Sequence, residues 1–558
     1  MKFSKNLSKL AFALTALAYT FVGGGCESGG SENTVTTSLN SVSISGKSRV
    51  LPSNTLTLTA SANTTGSPSV TYTWSVTDGA ELSSTTGSSV TLTAGADEKT
   101  VTVTLTGTYE STTKTATKSI MITSSSADLI VTPGASVTTN GWADRANSGS
   151  GMSYPNTTNI IYIGDDGYKV GSGSLTSYGT YTKRQVFTNA IASGSVSSSS
   201  LANTAAIVVV SGSVDLGDGV ITDDDKSYYD EFNESTHKRS HGDITFEIGS
   251  NKAIIGVNGA KLMFGGLLIK ASSGNSGKAG ENVIIQNVEF WDAHGSTEYD
   301  TTADGYSSSK ASIDALVLEA SGDSNGSYSY IPKNVWIDHC KFSDGTCEDL
   351  TRNYNHDGSL DIKGGKYVTV SYCEFTNHDK VTLLAPGETY TPADERQITF
   401  HHNYYHSATQ RMPRSRGCQV HIYNNYYNGI YQYSIGPGIN SQYIVENCYF
   451  GTHTSSSSIV KYYDCSTSTT ASTFSKIYAS GNYPVLSDSN TAIDSSVEKT
   501  GATSSNAWTI HSTSTKPWTI EYSYTLDSTS SLTSSIPSAA GVDKQGYTET
   551  VDVNGTVY

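Results

Sequence analysis

The chain has 558 residues and a formal net charge of −16, with 51 acidic side chains against 35 basic ones. That length exceeds one ordinary domain, and the acidic balance excludes a broadly basic face for nucleic acid. With 35 Tyr, 52 Gly and abundant Ser and Thr, the composition fits an exported, β-rich protein, and no long helical period appears beyond the first segment.

Lys2, Lys5 and Lys9 precede an apolar run from Leu10 to Val22. The run is too short to span a bilayer as a mature helix and suits an export signal over residues 1–25. The following GGGCES resembles a bacterial lipoprotein box, in which Cys26 is lipidated and becomes the first mature residue. Gly23 stands where an aliphatic residue is usual, so two outcomes stay open: a cell-surface or outer-membrane lipoprotein, which is preferred, or simple secretion. Any membrane contact is expected only through this anchor.

Residues 26–36 are rich in Gly, Ser and Thr and read as a flexible tether. Over residues 37–125, SVSIS, TLTLTA, VTYTWSV, SVTLTA, TVTVTLTGTY and TKSIMIT alternate strand with turn, and Trp74 is the candidate buried tryptophan. The pattern predicts an immunoglobulin-like β-sandwich without the two cysteines.

From residue 126 to 558 a different framework takes over. Six segments share one template: NVIIQNVEF from Asn282, NVWIDHCKF from Asn334, YVTVSYCEF from Tyr367, QITFHHNYY from Gln397, QVHIYNNYY from Gln419 and QYIVENCYF from Gln442. Positions two and four are apolar or aromatic, and position nine is always Phe or Tyr. Those positions differ in parity, so each copy holds two short strands meeting at a corner near positions five to seven. The last starts lie 22 and 23 residues apart, and the earlier gaps of 52, 33 and 30 contain inserted loops. Repeats of this kind predict an all-β, right-handed parallel β-helix whose coils stack like positions into columns. Phe290, Phe342, Phe375, Tyr405, Tyr427 and Phe450 would form one column, and Asn403, Asn425 and Asn482 another.

Ahead of each unit lies another strand: IDALVLE from Ile313, SLDIKGG from Ser359, KVTLLAP from Lys380, QRMPRSR from Gln410 and QYSIGPG from Gln432. Given a local reset near Asp314, that residue and Asp361 project from one sheet on adjacent coils, and Asp357 reaches the same point from the preceding turn. A single Asp beside Gly is more often a turn residue. Three without a basic neighbour in register would repel one another unless a cation sat among them, and their hard oxygens suit Ca²⁺. Lys380 follows on the next coil and Arg411, Arg414 and Arg416 on the one after, about 10 Å from Asp361 at the parallel-strand spacing. On an acidic chain such a cluster selects an acidic polymer that brings its own carboxylates.

VWIDHCKFSDG, HDGSLDIKGGKYVTVSYCEF, NHDKV, FHHNYY and QRMPRSRGCQVHIYNNYY, in this order, resemble polysaccharide lyase family 1, the pectate lyases. The likeness runs from IVVVSGSVDL at Ile207 to Phe450, with a fainter echo in YSYTLDSTSSLTSSIPSAAG. The resemblance implies Ca²⁺ at Asp314, Asp357 and Asp361, galacturonate carboxylates on Lys380 and Arg416, and Arg411 as the base. It implies β-elimination on polygalacturonate: the C5 proton is removed, the oxygen on C4 leaves, and a 4,5-unsaturated product forms. Electrostatic stabilisation of the charge that develops beside the C6 carboxylate lowers the barrier. Arginine is normally protonated in proteins, so a base at this position implies an alkaline optimum.

The chain departs from the family at Ser312, where some members place a further acid, in the loop VTLLAPGETYTPADE, and in an insertion from Asp323 to Tyr330. Asp338, His339, His356, His401 and His402 read as hydrogen-bonding corner residues outside the site, and no Cys/His spacing suggests zinc. Six cysteines follow Cys26; Cys340 and Cys373, on adjacent coils, either bond or stack. The alternatives are a non-catalytic β-helix that binds acidic glycans, or a pectin lyase acting on methylated pectin, against which the three aspartates argue. The front domain reads as a spacer or a carbohydrate-binding module, and the whole as a monomer.

Overall fold

The computed structural model describes residues 37–558 except 67, 125–126, 146–150, 218–237, 241–244, 273–278, 294–296, 300–312, 322–329, 346–355, 385–395, 455–456, 464–473, 495–504 and 545–549. The signal, the tether, Cys26, Ser312, most of the 323–330 insertion and the loop after Leu384 lie outside the described residues.

Two four-stranded sheets make the N-terminal unit: Ser38–Ser45, Thr55–Thr65, Ser89–Ala94 and Ala80–Leu82 form an antiparallel one, and Arg49–Val50, Thr112–Ile122, Lys99–Tyr109 and Thr71–Val76 form the other, antiparallel except that Arg49–Val50 runs parallel to Thr112–Ile122. Alternation along Lys99–Tyr109 turns Val101, Val103 and Leu105 inward to meet Leu58, Leu92 and Ile120. Trp74 is buried among them, and its indole N–H donates to Gly87 O at 2.8 Å.

The remainder is a parallel β-helix. Nine strands, from Thr245–Glu247 to Thr491–Ile493, form one parallel sheet, and the two strands of each nine-residue unit stack in the other ladders. Val283, Ile285, Val335, Ile337, Val368, Val370, Ile398, Phe400, Val420 and Ile422 are fully buried in one core. The corner falls at position six of every unit: Asn287, His339, Tyr372, His402, Asn424 and Asn447 all have φ between 47° and 55°. A single left-handed residue turns the chain and resets the alternation, and Asn tolerates this conformation better than most residues.

The predicted columns are present. Successive rings from Phe290 to Phe450 stack 4.7–4.9 Å apart. Asn403 Oδ1 accepts Cys373 N–H at 2.9 Å, Asn425 Oδ1 accepts Asn403 N–H at 2.7 Å, and Asn482 Oδ1 accepts Cys448 N–H at 2.8 Å. This side-chain ladder satisfies corner amides the strands leave over. Cys340 and Cys373 are free thiols that stack without bonding, and burial pushes the Cys373 thiol well up.

Two features escaped the strand pattern. An 11-residue helix, Lys183–Ser193, packs Val186, Phe187, Ala190 and Ile191 into the helix core; a capping box joins Thr182 and Gln185. The region after Ile493 contains a short helix, Ala507–His511, whose Ala507 joins the same core. The chain then returns along the outside, where Leu532, Ile536 and Ala540 pack on Tyr404, Tyr426 and Tyr449.

Candidate functional site

Asp314, Asp357, Lys380 and Arg411 all lie where the chain enters the nine-stranded sheet. Asp314 precedes the strand Leu316–Glu319, level with Gly358, whose N–H donates to Asp314 Oδ1 at 2.8 Å. Asp361 is inside the strand Leu360–Ile362, paired with Val317, and its Oδ1 accepts Leu383 N–H at 2.9 Å. The two aspartates therefore do not project from one sheet as expected; one approaches from the corner and the other from the strand. They still converge, because a Cβ on Gly358 would lie 2.5 Å from Asp361 Oδ1 and 2.7 Å from Asp314 Oδ1. Only glycine leaves that space open.

The carboxylates are not without a basic neighbour, which corrects the sequence reading. Lys363 Nζ lies 2.7 Å from Asp314 Oδ2. The Asp357 carboxylate pairs with Lys380 Nζ rather than joining the other two. Burial, then the neighbouring Asp314 charge, pushes the Asp361 carboxyl well up, and burial likewise raises Asp314 against the pull of Lys363. Lys363 is raised in turn: burial would lower it, but Asp314 and the other two aspartates outweigh that.

Among the described residues no three acidic, His or Cys side chains already form a cation cage. Asp314 and Asp361 nonetheless fit a hard cation, since two buried carboxyls share one space and a cation there would offset the cost of ionising them. Asp357 could complete the set only by leaving Lys380. These three residues would hold Ca²⁺.

The cations follow in the predicted order. Lys380 ends the strand Glu374–Lys380 and bridges to Gly358 on one side and Gln410 on the other. Arg411 accepts Thr382 N–H on its carbonyl at 2.8 Å, and Arg414 pairs with Leu383. The arginines thus lie two coils beyond Asp361, about 10 Å at the strand spacing. QRMPRSR is not one strand: Gln410 ends the strand Tyr404–Gln410, Arg414–Ser415 forms another, and Arg411 lies between them with φ +66°. The Arg414 guanidinium lies 3.8 Å from the Tyr463 ring centroid, a cation–π contact that fixes it. Arg416 follows on the same coil, its N–H donating to Leu384 O at 3.1 Å. The buried Nε atoms of Arg411 and Arg414 have no acceptor among the described residues. Buried donors of this kind are costly without a partner, and an anionic ligand would supply one.

The corner residues set aside earlier have partners of their own. Asp338 is hydrogen-bonded to His339 at 2.9 Å, Ser371 at 2.6 Å and Gln286 at 3.1 Å. His401 Nε2 meets Thr139 O at 2.7 Å, and His402 meets Asp527 at 3.3 Å. The residue the sequence reading missed is Lys363, although it shares strand parity with Asp361.

Fold and site together define a parallel β-helix with a buried carboxylate pair and a cation row along one edge. A family model described as "Pectate lyase" matches residues 133–545, and the chain belongs to that family. A pectate lyase of Bacillus subtilis (strain 168) is 34% identical over 233 residues, 38% of this chain and 50% of the relative. A pectate trisaccharide-lyase of Thermotoga maritima is 34% identical over 197 residues, 34% of this chain and 44% of the relative. Pectate lyase D of Dickeya chrysanthemi is 30% identical over 358 residues, 61% of this chain and 78% of the relative. The chain spans about half the length of the first two.

Proposed function

We propose that the chain is a calcium-dependent pectate lyase that cleaves polygalacturonate by β-elimination to 4,5-unsaturated oligogalacturonides. The observation that carries this reading is the pairing of two kinds of unmet demand in one family member. Burial makes ionisation of Asp314 and Asp361 costly, and among the described residues the buried Nε atoms of Arg411 and Arg414 meet no acceptor. A uronic acid polymer with a divalent cation answers both.

When bound at Asp314, Asp357 and Asp361, calcium supplies positive charge against the substrate's carboxylate. Lys380 and Arg416 bind galacturonate carboxylates and orient the sugar ring. Arg411 takes the C5 proton; the C5–H electron pair forms the C4–C5 double bond as the C4–O bond breaks, and water protonates the departing oxygen. In this reading the N-terminal sandwich is an immunoglobulin-like spacer on a monomeric, exported chain anchored through Cys26.

Arg411→Lys tests the assignment. Lysine keeps the positive charge, so oligogalacturonate binding should stay within about threefold while turnover falls by about 10²–10⁴, the usual worth of a general base. Turnover that survives the exchange contradicts Arg411 as base, and parent protein that binds without turnover is an acidic-glycan binder.

A further inference from the structure

We propose that His378 is a positioning residue that sets Asp357 against Lys380, an inference that rests on the calcium and carboxylate roles just given. His378 is 2% exposed and lies two residues before Lys380 in its strand. Its Nδ1 is 2.6 Å from Asp344 Oδ1, and its Nε2 is 3.0 Å from Asp357 O and 3.2 Å from Lys380 O. Behind it, His356 Nδ1 is 3.6 Å from Asp344 Oδ2, and His356 Nε2 is 2.8 Å from Asp292 Oδ1. Asp292, His356, Asp344 and His378 thus form one buried polar row, in which Asp292 and Asp344 follow the paired residues Trp291 and Ser343 on adjacent coils.

A row like this needs no purpose beyond satisfying its own members, since buried polar groups are normally paired. Its last link gives it one. Asp357 and Lys380 are joined twice: in front by the carboxylate and the ammonium, and behind by a single imidazole that meets both main-chain carbonyls. The bridge between Gly358 and Lys380 lies between the two connections. The placement of a metal-binding carboxylate relative to a substrate-binding lysine is therefore set by a ring bonded to their backbone. Asp344 fixes the angle of that ring. Supporting partners of this type typically change metal affinity by about 10–100-fold when removed.

The experiment compares His378→Asn with His378→Gln in the full chain, reading calcium affinity by calorimetry, KM and kcat on polygalacturonate, and the thermal midpoint. Gln places its amide nitrogen near the imidazole Nε2 and can still reach the Asp357 and Lys380 carbonyls, whereas Asn places its nitrogen near Nδ1 and cannot. We expect His378→Asn to weaken calcium binding about tenfold or more and to raise KM more than it lowers kcat, with His378→Gln recovering most of both. Equal losses in the two variants, losses that simply follow the thermal midpoint, or unchanged affinity in His378→Asn would overturn the proposal. Asp344→Asn, which leaves the ring in place, should weaken calcium binding in the same direction; unchanged affinity there also overturns it. Parent protein that takes up no calcium sinks the calcium reading and this inference together, whereas uptake in the parent with unchanged variants sinks only the inference.

Discussion

Lys363 Nζ lies 2.7 Å from Asp314 Oδ2, so a carboxylate assigned to metal binding already carries a tethered positive charge. A cation arriving at Asp314 and Asp361 must work against that ammonium. Replacing Lys363 with Met, which keeps the stem and removes the charge, should therefore tighten calcium binding. A unit charge about 4 Å away is worth roughly 1–4 kcal/mol between bulk water and a partly buried site, so about a tenfold gain is expected. The variant should also be less stable in chelator, with a larger rise in thermal midpoint on adding calcium. Weaker calcium binding in Lys363→Met would mean that the lysine supports the ion rather than competing with it.

Asp361 illustrates a site held at the expense of stability. Its carboxyl is pushed well up by burial and by Asp314, so ionising it costs more in the folded chain than in the unfolded one. Asp361→Asn retains an acceptor for Leu383 N–H. The variant should melt higher than the parent in chelator, yet bind calcium at least about tenfold more weakly, because calcium affinity follows ligand charge. Thermal scans with and without calcium check both halves; a lower melting point in chelator would contradict the electrostatic account.

Acid should weaken the fold through buried neutral histidines. Burial, followed by the neighbouring His402 charge, lowers His401 from 6.5 to about 3, and burial lowers His511 from 6.5 to about 4. Between those values and 6.5 the unfolded chain binds more protons than the folded one, so stability rises with pH in that window and is fully present above it. Each group contributes a slope of up to about 1.4 kcal/mol per pH unit. His401→Gln can still donate to Thr139 O and should flatten the stability profile between about pH 6.5 and 3 relative to the parent. Denaturant titrations at several pH values measure it, and parallel profiles for the two proteins would contradict the assignment.

The β-helix was legible because its physics repeats. Position four and position nine had to face inward with unlike parity, and a left-handed residue at position six resolves that conflict in every unit. The charged residues were legible as a set, but their arrangement was not. Asp314 and Arg411 lie in corners, where strand parity has no meaning, so the expectations that two aspartates share a sheet and that QRMPRSR is one strand both failed. Lys363 was within reach of the same rule, since it shares parity with Asp361 across Ile362. The Asp292–His356–Asp344–His378 row could not be read at all, because its members come from separate coils and meet only once the coils stack.

The most direct measurement is the ultraviolet absorbance of a 4,5-unsaturated uronide when the purified protein meets polygalacturonate, first with calcium and then with chelator, at neutral and alkaline pH. The expected result is an absorbance rise with calcium, faster at alkaline pH, that chelator abolishes and that Arg411→Lys fails to produce. No rise under any of these conditions, or a rise indifferent to chelator, would contradict it.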